Sequence, residues 1–203
     1  MPRDALLAHP DIARLASRLA ARQGRPLQPE GAVRLAAIVL VLRPNDADGE
    51  PELLLIKRAE AEQDPWSGHI ACPGGRMDPG DRDFEHTAIR ETWEETGIEL
   101  GSQGRILGTL DDMSPRSPTL PPLIIRPFVA VVQRDVTIVE SPEVAEAFWV
   151  PLAAVRETAA WGKAFVSVRG VGDLEEEVFR HGEHTIWGLT HRALRQFLEL
   201  LDS

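Results

Sequence analysis

Between Gly74 and Ile98 the chain reads GGRMDPGDRDFEHTAIRETWEETGI, and three carboxylates stand close together near its end. On a helix turning roughly 100° per residue, Glu91, Glu94 and Glu95 share an arc of about 100°. Ala88, Ile89, Thr92, Trp93 and Thr96 fill a different arc, suited to packing. Like charges at these spacings destabilise a helix by about 0.2–0.5 kcal/mol per pair. Their place near the helix C-terminus sets them against the macrodipole as well. Divalent cations offset both effects, because Mg²⁺ and Mn²⁺ take hard oxygen ligands and keep positions open for water. Gly74 and Gly75 let the backbone come close to the acids and offer a carbonyl. The chemistry this constellation suits is that of a bound divalent cation with coordinated water.

The stretch Arg90-Glu91-Thr92-Trp93-Glu94-Glu95-Thr96-Gly97-Ile98 resembles the second half of the Nudix box, with Thr92 where an aliphatic residue is usual. The spacing from Gly75 to Arg90 is one residue longer than in the common box, and Asp81 stands where the box has a glutamate. The coenzyme A pyrophosphatase branch looks similar there, and here its opening reads Pro73-Gly74-Gly75-Arg76-Met77-Asp78-Pro79-Gly80-Asp81. Leu53 to Arg58, and Ile186-Trp187-Gly188-Leu189-Thr190, resemble further elements of that branch. Trp66 and Cys72 depart from it, replacing a histidine and an aromatic residue before the glycines.

This resemblance implies hydrolysis of a nucleoside diphosphate derivative with Mg²⁺ or Mn²⁺. Coenzyme A or an acyl derivative is the first expectation, giving 3′,5′-ADP and 4′-phosphopantetheine. ADP-ribose, dinucleoside polyphosphates and oxidised nucleotides are the alternatives, together with a non-catalytic nucleotide-sensing role. Glu91, Glu94 and Glu95 are the expected metal ligands, joined by a carbonyl of Gly74 or Gly75, and Arg90 is expected to orient an acid of the box. The general base is a box glutamate or a loop acid. Glu143 resembles the latter, with Glu140 and Glu146 as competitors. Lys57, Arg58, Arg76 and Arg126 are candidate phosphate or nucleotide contacts, and Trp66 is a candidate stacking residue.

The elements that must position these residues follow from periodicity and turn chemistry. An amphipathic helix is expected over 4–22, with a connector from Gln23 to Gly31. Strands are expected at Ala32–Arg43 and Leu53–Lys57, joined by a turn through Pro44-Asn45-Asp46 and Gly49. After a glycine- and proline-rich loop over 64–83, the acid-bearing helix starts at Asp81 or Asp83 and stops at Gly97. Further strands are expected at Arg105–Leu110, Leu123–Val132 and Ala147–Val150, with a proline-rich loop at Met113–Pro122 between the first two. A helical turn at Leu152–Ala159 follows, then a hairpin of Val166–Arg180 with Glu183–Trp187, and a closing helix at Leu189–Leu201.

The fold class predicted is α/β, a Nudix-type α/β/α sandwich with a mixed central sheet plus an N-terminal helix. Residues 1–30 form the helix and connector, and 31–203 the hydrolase domain. A 203-residue chain buries enough surface to fold without disulfides. The net charge of −10 argues against nucleic acid as a partner. The longest apolar run, Ala36–Leu42, is too short for a membrane span. One cysteine and no signal-like N-terminus suit the cytoplasm, as a monomer or homodimer.

Overall fold

The computed structural model describes residues 6–7, 9–29, 31–44, 50–62, 64, 66–115 and 121–202. The expected turn residues Asn45, Asp46 and Gly49, Pro118 of the proline-rich loop, Pro65, and the first residues of the expected N-terminal helix lie outside them.

The centre is a sheet built around β1 (Arg34–Pro44) and β6 (Leu123–Val132), which run parallel from Arg34↔Leu123 to Leu42↔Val131. β2 (Pro51–Arg58) pairs antiparallel with the end of β1. Further along that same edge β2 takes β3 (Ile70–Ala71), and its other edge carries β7 (Val144–Pro151). β5 (Gly104–Thr109) closes the far edge on β6. β1 and β6 are covered on both faces, which explains why they read as continuous Val, Ile and Leu runs rather than alternating ones. Leu40 and Leu42 point to one face, Val39 and Val41 to the other, and all four are fully buried.

One face carries α2 (Phe84–Thr96) and the short α3 (Leu100–Gln103). The opposite face carries α1 (Pro10–Ala21), α4 (Leu152–Arg156) and α5 (Gly188–Asp202). Leu15 and Leu19 of α1 join the same apolar cluster as Phe197 and Leu194 of α5. The Arg18 guanidinium donates to the carbonyls of Leu200 and Leu201, satisfying groups a helix C-terminus leaves open. The connector is stitched down as well: Arg22 and Arg25 pair with Asp111, and the Leu27 amide donates to Asp112.

Several elements, the unexpected α3 among them, differ from the sequence-based expectation. α1 starts at Pro10, whose missing N–H costs nothing at a first helical position, and His9 Nδ1 accepts the Asp11 amide there. The loop over 64–83 contains β3 and a further strand, β4 (Gly74–Arg76), which pairs with β1. The expected final hairpin is a three-stranded sheet of β8 (Trp161–Val168), β9 (Gly172–His181) and β10 (His184–Trp187). Gly170 and Gly172, at φ 78° and 104°, turn the chain where the sequence read as one continuous strand.

Candidate active site

α2 is set in place by its ends. The Asp83 side chain caps it by accepting the His86 amide, and Gly97 closes it in the left-handed conformation at φ 69°. Its packing face is small: Ala88, Thr92 and Thr96 are fully buried, so the helix lies close to β1 and β4. The unusual Thr92 fits because its hydroxyl donates to the Ala88 carbonyl at 2.7 Å; Thr96 does the same to Thr92.

Packing this close brings the acids onto the glycine strand. The Glu91 carboxylate fills the space above Gly75, where a Cβ would stand 2.5 Å from its carbon. The Gly74 amide donates to Glu95 Oε2 at 2.8 Å, and at φ 147°, with the Ala37 carbonyl 2.2 Å from any Cβ, this position admits only glycine. Glu91 keeps one oxygen and Glu95 the other without a protein hydrogen bond among the described residues. Burial, with the neighbouring Glu91 and Glu143 charges, pushes the Glu95 carboxyl up to about 7. Burial also raises Glu91, against the pull of Arg90.

Arg90 is the hub that spaces the acids. Its Nε and Nη2 hold the Asp81 carboxylate at 3.1 and 2.8 Å, and Nη2 also reaches the Arg76 carbonyl at 2.9 Å. Nη1 bridges Glu91 at 3.0 Å and Glu94 at 2.8 Å. The Glu94 side chain is thereby drawn outward and is 46% exposed, so the predicted trio separates into an inward pair and an outward member. Among the described residues no three His, Cys, Asp or Glu side chains stand close enough to hold an ion as they are placed. The donor set nevertheless fits a divalent cation: two carboxylates with open hard oxygens face one glycine strand.

The remaining predicted residues fall around this pair. Arg58 is close enough for its charge to act on Glu95, and it is held by Asp64 through Nε at 3.2 Å and Nη2 at 2.8 Å. Lys57 is its partly buried neighbour on β2, paired across the strands with Glu146. Glu143 acts on Glu95 by charge, and its backbone carbonyl accepts the Ala59 amide. Its competitors are engaged elsewhere: Glu140 accepts the Ala147 amide at 2.7 Å, and Glu146 lies 3.7 Å from His184. Arg76 is exposed at the end of β4. Arg126 lies toward the start of α2, fixed by Asp112 at 2.8 Å and stacked over Phe84 at 4.2 Å. Trp66 stands on the loop beyond Arg58. Cys72 is a buried core residue whose thiol burial and Glu95 push up to about 12.

Asp81 stood in the sequence as a box position and a possible helix cap, not as the anchor of Arg90, and Asp64 was not singled out. Asp81 is 1% exposed in its side chain and binds Arg90, His86 Nδ1 and Thr87 Oγ1 together, so the Arg90 guanidinium pulls its carboxyl far below the ordinary range. The signal for that role was its place in the lengthened spacing; the cap itself is Asp83. Asp64 gave none.

A family model described as the NUDIX domain matches residues 33–167. The chain is 33% identical over 154 residues to the mitochondrial coenzyme A diphosphatase NUDT8 of Homo sapiens, covering 75% of this chain and 64% of that protein. With the protein of the same name from Mus musculus it shares 31% identity over 191 residues, or 94% and 84% of the two chains. The solved MutT/nudix family protein of Enterococcus faecalis, 16% identical with a TM-score of 0.57, spans 99% of this chain and 73% of its own, and it shows the common fold. Glycine strand, arginine hub and paired glutamates thus sit on a matched domain, and the chain belongs to the Nudix hydrolases.

Proposed function

We propose that this Nudix hydrolase cleaves the diphosphate bond of a nucleoside diphosphate derivative, with coenzyme A or an acyl-coenzyme A as substrate and 3′,5′-ADP and 4′-phosphopantetheine as products. The observation that carries the reading is the inward pair: Glu91 over Gly75 and Glu95 on the Gly74 amide, each with an oxygen to spare. The names of the two mammalian relatives favour coenzyme A.

Nudix hydrolases use divalent metal ions, and in our reading Glu91 and Glu95, with the carbonyl of Gly74 or Gly75, would hold Mg²⁺ or Mn²⁺, Glu94 joining the set on leaving Arg90. Such an ion screens the diphosphate from a chain of net charge −10 and stabilises the leaving oxygen. Arg90 keeps the acids apart and aimed. Glu143 takes the proton from the attacking water, since its charge acts on Glu95 while Glu140 accepts the Ala147 amide and Glu146 lies toward His184. Lys57, Arg58 and Arg76 face the phosphates. Arg126 belongs to the substrate side in the same reading, with Asp112 and Phe84 fixing its guanidinium.

The division at residue 30 is part of this reading, with the N-terminal helix as a flanking element. So is a small-molecule partner, taken by a monomer or homodimer. No helix among the described residues is long and apolar enough to cross a membrane. The buried free thiol fits a reducing compartment, and our reading takes that compartment to be the cytoplasm, while the mammalian relatives are named mitochondrial.

The test is product analysis after incubation with coenzyme A and Mg²⁺ or Mn²⁺. Release of 3′,5′-ADP is expected. Cleavage of ADP-ribose or a dinucleoside polyphosphate with coenzyme A untouched would overturn the substrate, and no cleavage of any diphosphate would overturn the reaction.

A further inference from the structure

Two tryptophans and a histidine converge where the loop after β2 meets the second sheet. Trp66 lies 6.0 Å from Trp187 with planes at 52°. His69 lies 5.8 Å from Trp66 and 5.0 Å from Trp187, at 63° and 65°. At such angles the rings brace one another by their edges, and no ring among the described residues lies flat on Trp66, which is 36% exposed. Trp161 shows the contrasting, structural arrangement: its indole N–H donates to the Val155 carbonyl at 2.8 Å, and Phe179 and His191 pack its ring. The indole N–H groups of Trp66 and Trp187 have no acceptor among the described residues.

The loop that carries Trp66 is fixed from three sides. Asp64 accepts the Trp66 amide at 3.0 Å through one oxygen and holds Arg58 through the other. The Ser67 hydroxyl donates to the Ala61 carbonyl at 2.7 Å. From the turn between β8 and β9, Arg169 donates to the Ala61 carbonyl at 2.8 Å and reaches the Glu60 carboxylate at 3.1 Å. One side chain, Asp64, therefore ties the aromatic group to Arg58, whose charge acts on Glu95. A flat apolar surface, tied through Asp64 to the guanidinium of Arg58, suits a planar heteroaromatic ring better than a flexible chain.

We propose that Trp66, braced by Trp187 and His69, is the platform on which the adenine ring of the substrate stacks. The second sheet then has a role in recognition, because Trp187 comes from β10, beyond the residues that the family model matches. This inference rests on the diphosphatase reading for its substrate, but its test needs no turnover. Calorimetric titration in Mg²⁺ compares adenosine 3′,5′-bisphosphate with ribose 5-phosphate and pantetheine. The bisphosphate is expected to bind much the tightest, with Trp66→Leu weakening it about tenfold and Trp66→Phe restoring most of the affinity. A Trp66→Leu variant that folds and binds the bisphosphate as wild type does would overturn the platform, as would pantetheine binding that depends on Trp66 while bisphosphate binding does not. Should the protein bind the bisphosphate through Trp66 yet cleave no diphosphate, the platform stands and the reaction reading falls.

Discussion

Glu95 is held in a position that costs stability. Its carboxyl, ordinarily at 4.5, is pushed up to about 7 by burial, so between those values the folded chain holds a proton that the unfolded chain has released. Stability from this group therefore falls as pH rises from about 4.5 to 7, and the full penalty applies above 7. In metal-free protein Glu95→Gln, which can still accept the Gly74 amide, is expected to gain about 1–3 kcal/mol at pH 8 and almost nothing at pH 4. Urea unfolding at the two values measures this, and a variant no more stable than wild type at pH 8 would refute it. The three glutamates were legible as a group from their spacing. Their separation was not, because the sequence does not show that Arg90 reaches both Glu91 and Glu94 at once.

At the scale of elements, α2 depends on a buried anchor outside itself. Asp81, in the loop before the helix, ties Arg90, His86 and Thr87 to one carboxylate. Asp81→Asn leaves the Arg90 charge without its main partner and is expected to cost about 3 kcal/mol, read as a lower urea midpoint; an unchanged midpoint would show that Glu91 and Glu94 suffice. The start and stop of α2 were legible because Asp83 and Gly97 carry local cap chemistry. β3 and β4 were hidden, since glycines and prolines read as loop while their pairing is set by distant strands. The turn at Gly170 was present in the sequence as a glycine but was outweighed by the β-branched residues on either side.

Across the whole molecule, the order of the longer strands and helices followed from hydrophobic runs, the covering of both sheet faces from the Nudix resemblance, and the N-terminal helix from its periodicity. How α1 is fastened did not: the Arg18 contact with the end of α5 joins residues at opposite ends of the chain. The same holds for the aromatic group, whose members come from a loop and a second sheet far apart in sequence. All these layers converge on one claim, that an acidic chain engages an anionic diphosphate because α2 presses two carboxylates against a glycine strand to hold a cation. Calorimetric titration of Mn²⁺ into the wild-type protein and into Glu91→Gln/Glu95→Gln tests it most directly. Mn²⁺ is expected to bind the wild type, and at least tenfold more weakly the double variant; equal binding by both would overturn the claim.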